Sequence, residues 1–426
     1  MRVLVIGGGG REHALVWRLS RDPDVRTVIA APGNPGIASL AECVPVDVTD
    51  PDSMLRVAEQ ARADLTVVGP EGPLDRGVVD RFRAAGRPIV GPTRAGAALE
   101  CSKAFAKSFM TRAGVPTARA LVCHDLPSAL AAVAGREFGF PVVVKADGLA
   151  AGKGVVVAAD RAEADRAVRA AMEAKQFGAA GDTLVVEECL TGPEVSFFVL
   201  CDGRHAVVLG TAQDHKRLED DDRGPNTGGM GAFAASPLVT PALEHQVMTG
   251  IVHPVLEQAQ FDGAPYRGFL YVSLMLTAAG PKVIEFNVRM GDPETQVVMP
   301  LLEGPFARAL QASAEGQLRD IRLRLSADRA VGVTLAAAGY PGAVASGTPI
   351  HGLEAAAARA DTLVFHAGTR AAGGDVVTAG GRVATVVGRG PTFEAAMRVA
   401  YEAVSAIKFE GMQFRTDIGR KAIVGA

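Results

Sequence analysis

Residues 141–158 read Pro-Val-Val-Val-Lys-Ala-Asp-Gly-Leu-Ala-Ala-Gly-Lys-Gly-Val-Val-Val-Ala, a glycine-rich loop between two runs of valine. The flanks Pro141–Lys145 and Val155–Ala158 both have strand chemistry. The chain must therefore turn back on itself here as a hairpin. A lysine in a glycine-rich loop invites comparison with the phosphate-binding P-loop, G-x-x-x-x-G-K-[ST], which leads from a strand into a helix. Here three residues separate Gly148 from Gly152, and Gly154 stands where the hydroxyl belongs. No helix start follows to supply oriented amides. What remains is a hairpin whose glycines let backbone amides close over an anion, with Lys145 beneath as a point charge. On these residues alone a solvated surface hairpin fits as well, so the decision rests on the rest of the chain.

A chain of 426 residues has room for about three domains, each able to bury a core. Strands at Val3–Ile6, Thr27–Ala30, Leu65–Val68 and Pro88–Val90 alternate with helices at Glu12–Ser20, Pro51–Ala61 and Arg76–Ala85. That alternation predicts a parallel sheet over residues 1–100, with ligands at the carboxyl ends of its strands. A helix at Ser102–Ala113, stopped by Gly114 and Pro116, opens a second domain over 101–325. Within it residues 118–190 form a compact unit bearing the hairpin. From 326 to 426 strands with Gly/Pro turns and a helix at Phe393–Ile407 predict a separate C-terminal α+β domain. Its helix is capped by Thr392 and carries Phe393, Met397, Ala400 and Val404 on one face.

The net charge of −3 supplies no electrostatic footprint for nucleic acid or an anionic membrane. No apolar run reaches the ~18 residues that span a bilayer, and no signal-peptide order opens the sequence. Five scattered cysteines without metal-ligand spacing fit a reduced, cytoplasmic protein. Partners are expected to be small molecules, with the chain a monomer or weak homodimer.

Three further stretches carry chemistry. Leu184–Glu194 is a strand entering a tight turn, able to offer backbone hydrogen bonds to a base and a carboxylate to ribose hydroxyls. A second hairpin, Gly268–Thr277 and Lys282–Met290, places Glu285, Asn287 and Arg289 on one face by the two-residue period of a strand. Ile284, Phe286 and Val288 then face the core. Glu285-x-Asn287 offers two hard oxygens suited to magnesium that shares its shell with phosphates. Arg289 is suited to a transferring phosphoryl group, and Asp292 and Glu294 follow it. The third stretch is Gln213–Arg217 with Gly224–Gly231, a charged run and a polar turn suited to a small zwitterionic or anionic substrate. The run Gly7-Gly-Gly-Gly-Arg-Glu12 has Glu12 where a dinucleotide fingerprint needs its third glycine. Strand two ends without an acidic ribose ligand, which removes a nicotinamide dehydrogenase.

In this order these elements resemble the ATP-grasp superfamily of carboxylate–amine ligases. Val5–Ala14, Val68–Glu71, Lys145–Gly154, Gln213–Arg217, Pro225–Gly231, Glu285–Glu294 and Phe365–Thr369 resemble, within it, the phosphoribosylamine–glycine ligase (glycinamide ribonucleotide synthetase) family. The resemblance implies ligation of glycine to 5-phosphoribosylamine through a glycyl phosphate, with ATP split to ADP and phosphate, in purine biosynthesis. Another carboxylate–amine ligase of purine metabolism is the alternative. By the same resemblance Lys103 and Lys145 hold phosphates, and Ala151, Gly152, Lys153 and Gly154 cover the γ end. Glu187 and Leu190 meet adenine, and Glu194 meets ribose. Glu285 and Asn287 hold Mg2+ or Mn2+. Arg289, Lys145, Asp214 and Lys216 are the catalytic set. Gly8, Gly9, Gly10, Arg11, Glu12 and Glu71 hold phosphoribosylamine, while Asn226, Thr227, Gly228, Gly229, Asp292 and Glu294 complete the glycine and amine contacts. One departure stands out: Phe269–Thr277 carries no carboxylate, where many ATP-grasp enzymes have a metal-binding acid.

Overall fold

The computed structural model describes residues 1–135, 137–149 and 154–424. The first strands, β1 (Arg2–Gly7), β2 (Thr27–Pro32), β3 (Glu42–Cys43), β4 (Leu65–Val68) and β5 (Ile89–Val90), pair in parallel in the order β3-β2-β1-β4-β5. Helix α1 (Gly10–Leu19) follows β1, and α2 (Pro51–Gln60) precedes β4. Asp50 starts α2 by accepting the amides of Asp52 and Ser53 ahead of a proline that needs no partner. The helix expected at Arg76–Ala85 is α4 (Val78–Ala84), preceded by a short helix that was not expected, α3 (Glu71–Asp75). Gly77, at φ +80°, takes the left-handed turn between them that a side chain would resist.

Val3, Leu4, Val5 and Ile6 are all fully buried, because both faces of this sheet are covered. Leu4 and Ile6 share a core with Phe197, Val272 and Phe286, while Val3 and Val5 share another with Phe198, Leu200 and Phe306. The N-terminal unit is thus welded to the middle of the chain.

Helix α5 (Arg94–Cys101) and α6 (Lys103–Ala113) meet at Ser102, whose hydroxyl caps α6 by accepting the amide of Phe105. Next come β6 (Ala120–Cys123), α7 (Leu126–Ala134), β7 (Val142–Ala146), β8 (Val155–Ala158), α8 (Arg161–Met172) and β9 (Leu184–Glu188). Their strands form an antiparallel sheet, β6-β9-β7-β8, and the helices close one face over Val142, Val144, Val168 and Val186. β7 and β8 pair from Val142↔Ala158 to Lys145↔Val155, so the glycine-rich loop joins two strands and the P-loop is excluded by topology. Ala151, Gly152 and Lys153 lie outside the described residues; Gly154 accepts the amide of Ala146 at 2.8 Å.

Further strands include β10 (Glu194–Asp202), β11 (Ala206–Asp214), β12 (Arg217–Glu219), β13 (Arg223–Asn226), β14 (Gly231–Ala234), β15 (Arg267–Thr277), β16 (Gly280–Asn287), β17 (Arg329–Ala336), β18 (Thr362–His366) and β19 (Arg382–Gly390). All but β12 and β13 belong to one eight-stranded antiparallel sheet, β16-β15-β10-β11-β14-β17-β19-β18. β12 and β13 pair as a small ribbon. The C-terminal part is therefore less separate than its sequence implies. It keeps its own core around Val331, Val386, Ala400 and Val404, but β14 pairs with β17 through Gly231↔Val333 to Ala234↔Ala330. Helix Phe393–Val404 begins at Thr392 as expected, although Ala396 and Ala403 take the buried places and Met397 is only half-buried.

Phe233, fully buried on β14, meets Phe393 edge-on at 5.5 Å and carries the C-terminal core onto the central sheet. Phe233→Ala is expected to cost about 3–5 kcal/mol. Urea unfolding checks it; a loss below about 1 kcal/mol contradicts this role.

Candidate active site

Two strands and two helix starts build the site. On the open face of the lid sheet, cross-strand register sets Ala120, Glu187, Val143 and Val157 in one row and Val122, Val185, Lys145 and Val155 in the next. Val122 and Val157 are exposed, so an apolar platform surrounds one lysine and one glutamate. Lys145 Nζ stands 2.8 Å from Glu187 Oε2 and donates to the carbonyl of Ile284 at 3.3 Å. Lys107, which sequence reasoning missed, lies 3.2 Å from Glu187 Oε1 and donates to Thr117 Oγ1 and the carbonyl of Ala118. A glutamate buried between two ammonium groups is compensated for its desolvation. Its carboxylate is committed to fixing Lys145, which leaves the Glu187 backbone to meet a ligand. Leu190 lies in the loop that joins β9 to β10.

The base of the glycine-rich hairpin is tied to α6. Asp147 accepts the amide of Ala104 and the hydroxyl of Ser102, both at 3.1 Å, and so adds negative charge at that helix start. Lys103 Nζ donates to the carbonyl of Gly148 at 2.9 Å. Lys103 and Lys107 are one helical turn apart, a spacing that could have revealed Lys107 from the sequence.

Strand β16 departs from simple alternation. A bulge between Ser273 and Leu274 leaves Ile284 without a partner, so Val283 takes the core position and Ile284 stays half-buried, contrary to the expected pattern. The bulge also frees the Ile284 carbonyl for Lys145. The strand ends at Asn287, short of the expected Met290, because Glu100 Oε2 accepts the Val288 amide at 2.8 Å. Arg289 thus lies just past the strand. It still reaches Asn287 Oδ1 at 3.1 Å, and it is gripped by Glu100 at 2.7 Å and Glu71 at 3.4 Å.

Charge balance at this gap is tight. Burial raises the Glu285 carboxyl, but Lys216, Lys145, Lys103 and Arg289 outweigh that effect and hold it below its usual range. Burial pushes Glu100 up, against the pull of Arg289. Burial lowers the Lys103 ammonium, which Glu285 opposes. Asp214 ends β11 facing Lys216, and burial, reinforced by Glu294 and Glu194, pushes its carboxyl up to about 7. Lys216 is ion-paired with Glu194, so the residue expected at ribose is already bound. Glu294 is buried and accepts the hydroxyl of Tyr271 at 2.9 Å. It therefore enters from the chain beyond β16, in the region where β15 has no acid.

At the N-terminal unit, Gly8 to Glu12 and Glu71 lie at the carboxyl ends of β1 and β4. A Cβ on Gly8 would fall 2.4 Å from the Gly33 carbonyl, so only glycine fits. Glu12 is occupied with its own helix: Oε2 accepts the amide of Gly9 at 2.6 Å and Oε1 accepts Arg11 Nε at 2.6 Å. The buried carboxylate thus caps α1 at the loop where phosphoribosylamine is expected. Asp292 accepts the amide of Arg11 at 3.1 Å and Gln296 Nε2 at 2.9 Å, bringing the end of β16 onto the glycine loop. Thr227 donates through its amide and hydroxyl to the Lys216 carbonyl, and Arg382 donates to the carbonyls of Gly228, Gly229 and Asp292. Asn226 closes the ribbon opposite Arg217. Arg382, Tyr340 and Glu100 carry no local signal in the sequence.

Oxygen donors for a divalent cation are present in Glu285, held ionised, and Asn287 on the next outward position of β16. Among the described residues no group of three or more His, Cys, Asp or Glu side chains is gathered for a metal. Two protein oxygens suit an ion whose other ligands are phosphate and water.

Residues 1–100, 101–295 and 330–421 match, in turn, the N domain, the ATP-grasp (A) domain and the C domain of phosphoribosylglycinamide synthetase. The chain is 48% identical over 424 residues to the phosphoribosylamine–glycine ligase of Ralstonia nicotianae, covering 99% of this chain and 100% of that one. A solved phosphoribosylamine–glycine ligase from Thermotoga maritima is 34% identical with a TM-score of 0.85, covering 98% of this chain and 100% of that one. The biotin carboxylase domain of a Hydrogenobacter thermophilus 2-oxoglutarate carboxylase, solved with MgADP, shares only the fold, at 19% identity and a TM-score of 0.72, over 97% of this chain and 91% of that one. The chain belongs to the phosphoribosylglycinamide synthetase family.

Proposed function

We infer that this chain ligates glycine to 5-phosphoribosylamine, splitting ATP to ADP and phosphate, as a step of purine biosynthesis. The observation that carries it is the convergence of Lys103, Lys145, Glu285, Asn287 and Arg289 on one gap, in a chain matched over its length by this ligase family. Free cysteines among the described residues fit a reducing compartment such as the cytoplasm.

A carboxylate is a poor electrophile, so the reaction needs two displacements. A glycine carboxylate oxygen attacks the γ-phosphorus, ADP leaves, and a glycyl phosphate forms. The amine then attacks the acyl carbon, phosphate leaves, and the amine sheds a proton. Neither step needs a covalent enzyme intermediate, so catalysis reduces to position and charge. In this reading the apolar platform takes adenine, with Lys103 and Lys145 on the phosphates. Mg2+ held by Glu285 and Asn287 would neutralise phosphate charge. Arg289 stabilises the transferring phosphoryl group on its Glu71 side, while Glu100 keeps its hold. Glu71 and the loop Gly8–Arg11 receive the amine substrate. Asp214, with a carboxyl near 7, accepts the proton the amine sheds.

The decisive assay is phosphate release from ATP and phosphoribosylamine with glycine, alanine or formate. Release that requires glycine supports the reading, and release without glycine dependence refutes it. Lys145→Ala is expected to lower kcat/KM by roughly 3 kcal/mol of transition-state stabilisation; unchanged turnover removes it from the site. Glu285→Gln should raise the Mg2+ concentration needed for half-maximal activity, and a titration identical to wild type excludes it as a ligand. Because the carboxylate form of Asp214 is the active one, kcat/KM should rise with pH through about 7. Asp214→Asn should abolish that rise, and persistence of the same limb assigns the base elsewhere.

A further inference from the structure

The ribbon of β12 and β13 carries site residues at both ends: Asp214 and Lys216 lead into it, and Thr227–Gly229 lead out. Its tip is held from the C-terminal segment, nearly 200 residues away. Arg415 is fully buried, with Nη1 2.9 Å from Asp222 Oδ1 and donating to the Arg217 carbonyl at 3.2 Å. Its Nε and Nη2 donate to the two oxygens of Asp417 at 2.7 and 2.6 Å. Asp417 in turn accepts the amide of Asp221 at 3.0 Å, the Thr416 amide donates to Asp220 at 2.8 Å, and Lys421 Nζ lies 2.6 Å from Asp222. Asp221 and Asp222 have φ of 57° and 53°, the left-handed region that residues other than glycine seldom enter. The tip is therefore held in a conformation its own residues do not favour. Where the ribbon returns to the site, Tyr340 Oη accepts the Gly228 amide at 2.8 Å.

We propose that Arg415 is a positioning residue for the glycine end of the active site. By gripping the Arg217 carbonyl and Asp222 together, it fixes β12 to the turn that leads into β13, and through the ribbon Asp214, Lys216 and Thr227–Gly229. The ATP end stands on α6, β7 and β16; among the described residues no hydrogen bond or ion pair joins these elements to Arg415, and the ribbon reaches that end through the Lys216–Glu194 ion pair. A planar guanidinium is required, because it serves four acceptor oxygens of three residues at fixed angles, where a lysine offers one point charge. The proposal rests on the glycine-ligase reading above.

The test uses the full chain as wild type, Arg415→Met and Arg415→Lys, with glycine and ATP varied separately and amide hydrogen exchange followed over residues 217–229. Arg415→Met is expected to raise KM for glycine by about tenfold or more while KM for ATP stays within about twofold, with Arg415→Lys intermediate. Exchange should quicken in the ribbon and not in β7 or β16. A folded Arg415→Met with wild-type glycine KM and ribbon exchange overturns the proposal. So do equal rises in both KM values with a general loss of protection, which mark a purely structural residue. Should Arg415→Met not fold, Arg415→Lys decides: glycine KM raised at least about threefold supports the proposal, and unchanged kinetics overturn it. Wild type without glycine-dependent phosphate release refutes the functional reading alone, since the exchange arm still tests the clamp.

Discussion

Arg289 is held by two carboxylates that arrive from different directions, Glu71 on the first helix turn after β4 and Glu100 at the end of α5. A guanidinium this deeply enclosed is stable only with its charge matched, and a carboxylate as buried as Glu100 has the same need. The pair therefore sets where β16 ends, how far the N-terminal loops approach it, and which way Asn287 faces. Every other ionised group at the gap is arranged around that bridge. Glu285 lies one outward position before Asn287, and Asp292 extends the chain onto the glycine loop of the N-terminal unit.

The same bridge is compatible with the role proposed for Arg289, although its guanidinium is already paired. Glu71 is the more distant and more exposed partner of Arg289, while Glu100 holds both the guanidinium and the adjoining amide. An incoming anion can compete for the Glu71 side of the guanidinium and leave the Glu100 side intact. Orientation is then retained while one coordination edge opens, the arrangement expected of a preorganised electrostatic site.

What could be read from the sequence was local. Valine runs on either side of a glycine-rich loop can only make a hairpin, and Glu285-x-Asn287 stands out because carboxylate and amide on a strand need a partner. The alternation of strands and helices before residue 100 predicted the parallel sheet correctly, and Gly77 could have shown where the helix at Val78 begins. What escaped depended on contacts across long separations. Glu100 ends β16 from 188 residues away in sequence, a link no periodicity encodes. The bulge at Ile284 reverses strand parity without a glycine to mark it. The C-terminal strands have ordinary patterning, so their union with β14 into one sheet follows from shape alone. The capping role of Glu12 escaped for a different reason: an acid in a glycine-rich loop shows no sign in sequence that it also accepts the Gly9 amide and Arg11 Nε.

The lid sheet has an apolar core built only from residues of the lid itself, largely valine and alanine. Among the described residues its polar obligations to the rest of the molecule include Asp147 on the start of α6, Lys103 on Gly148, Glu187 with Lys107, Lys145 on the Ile284 carbonyl and Glu188 with Lys282. Such a part behaves as an interchangeable module. Its interior can be rewritten, or the whole unit grafted from a relative, without compensating changes in the three other cores, provided that those polar residues travel with it.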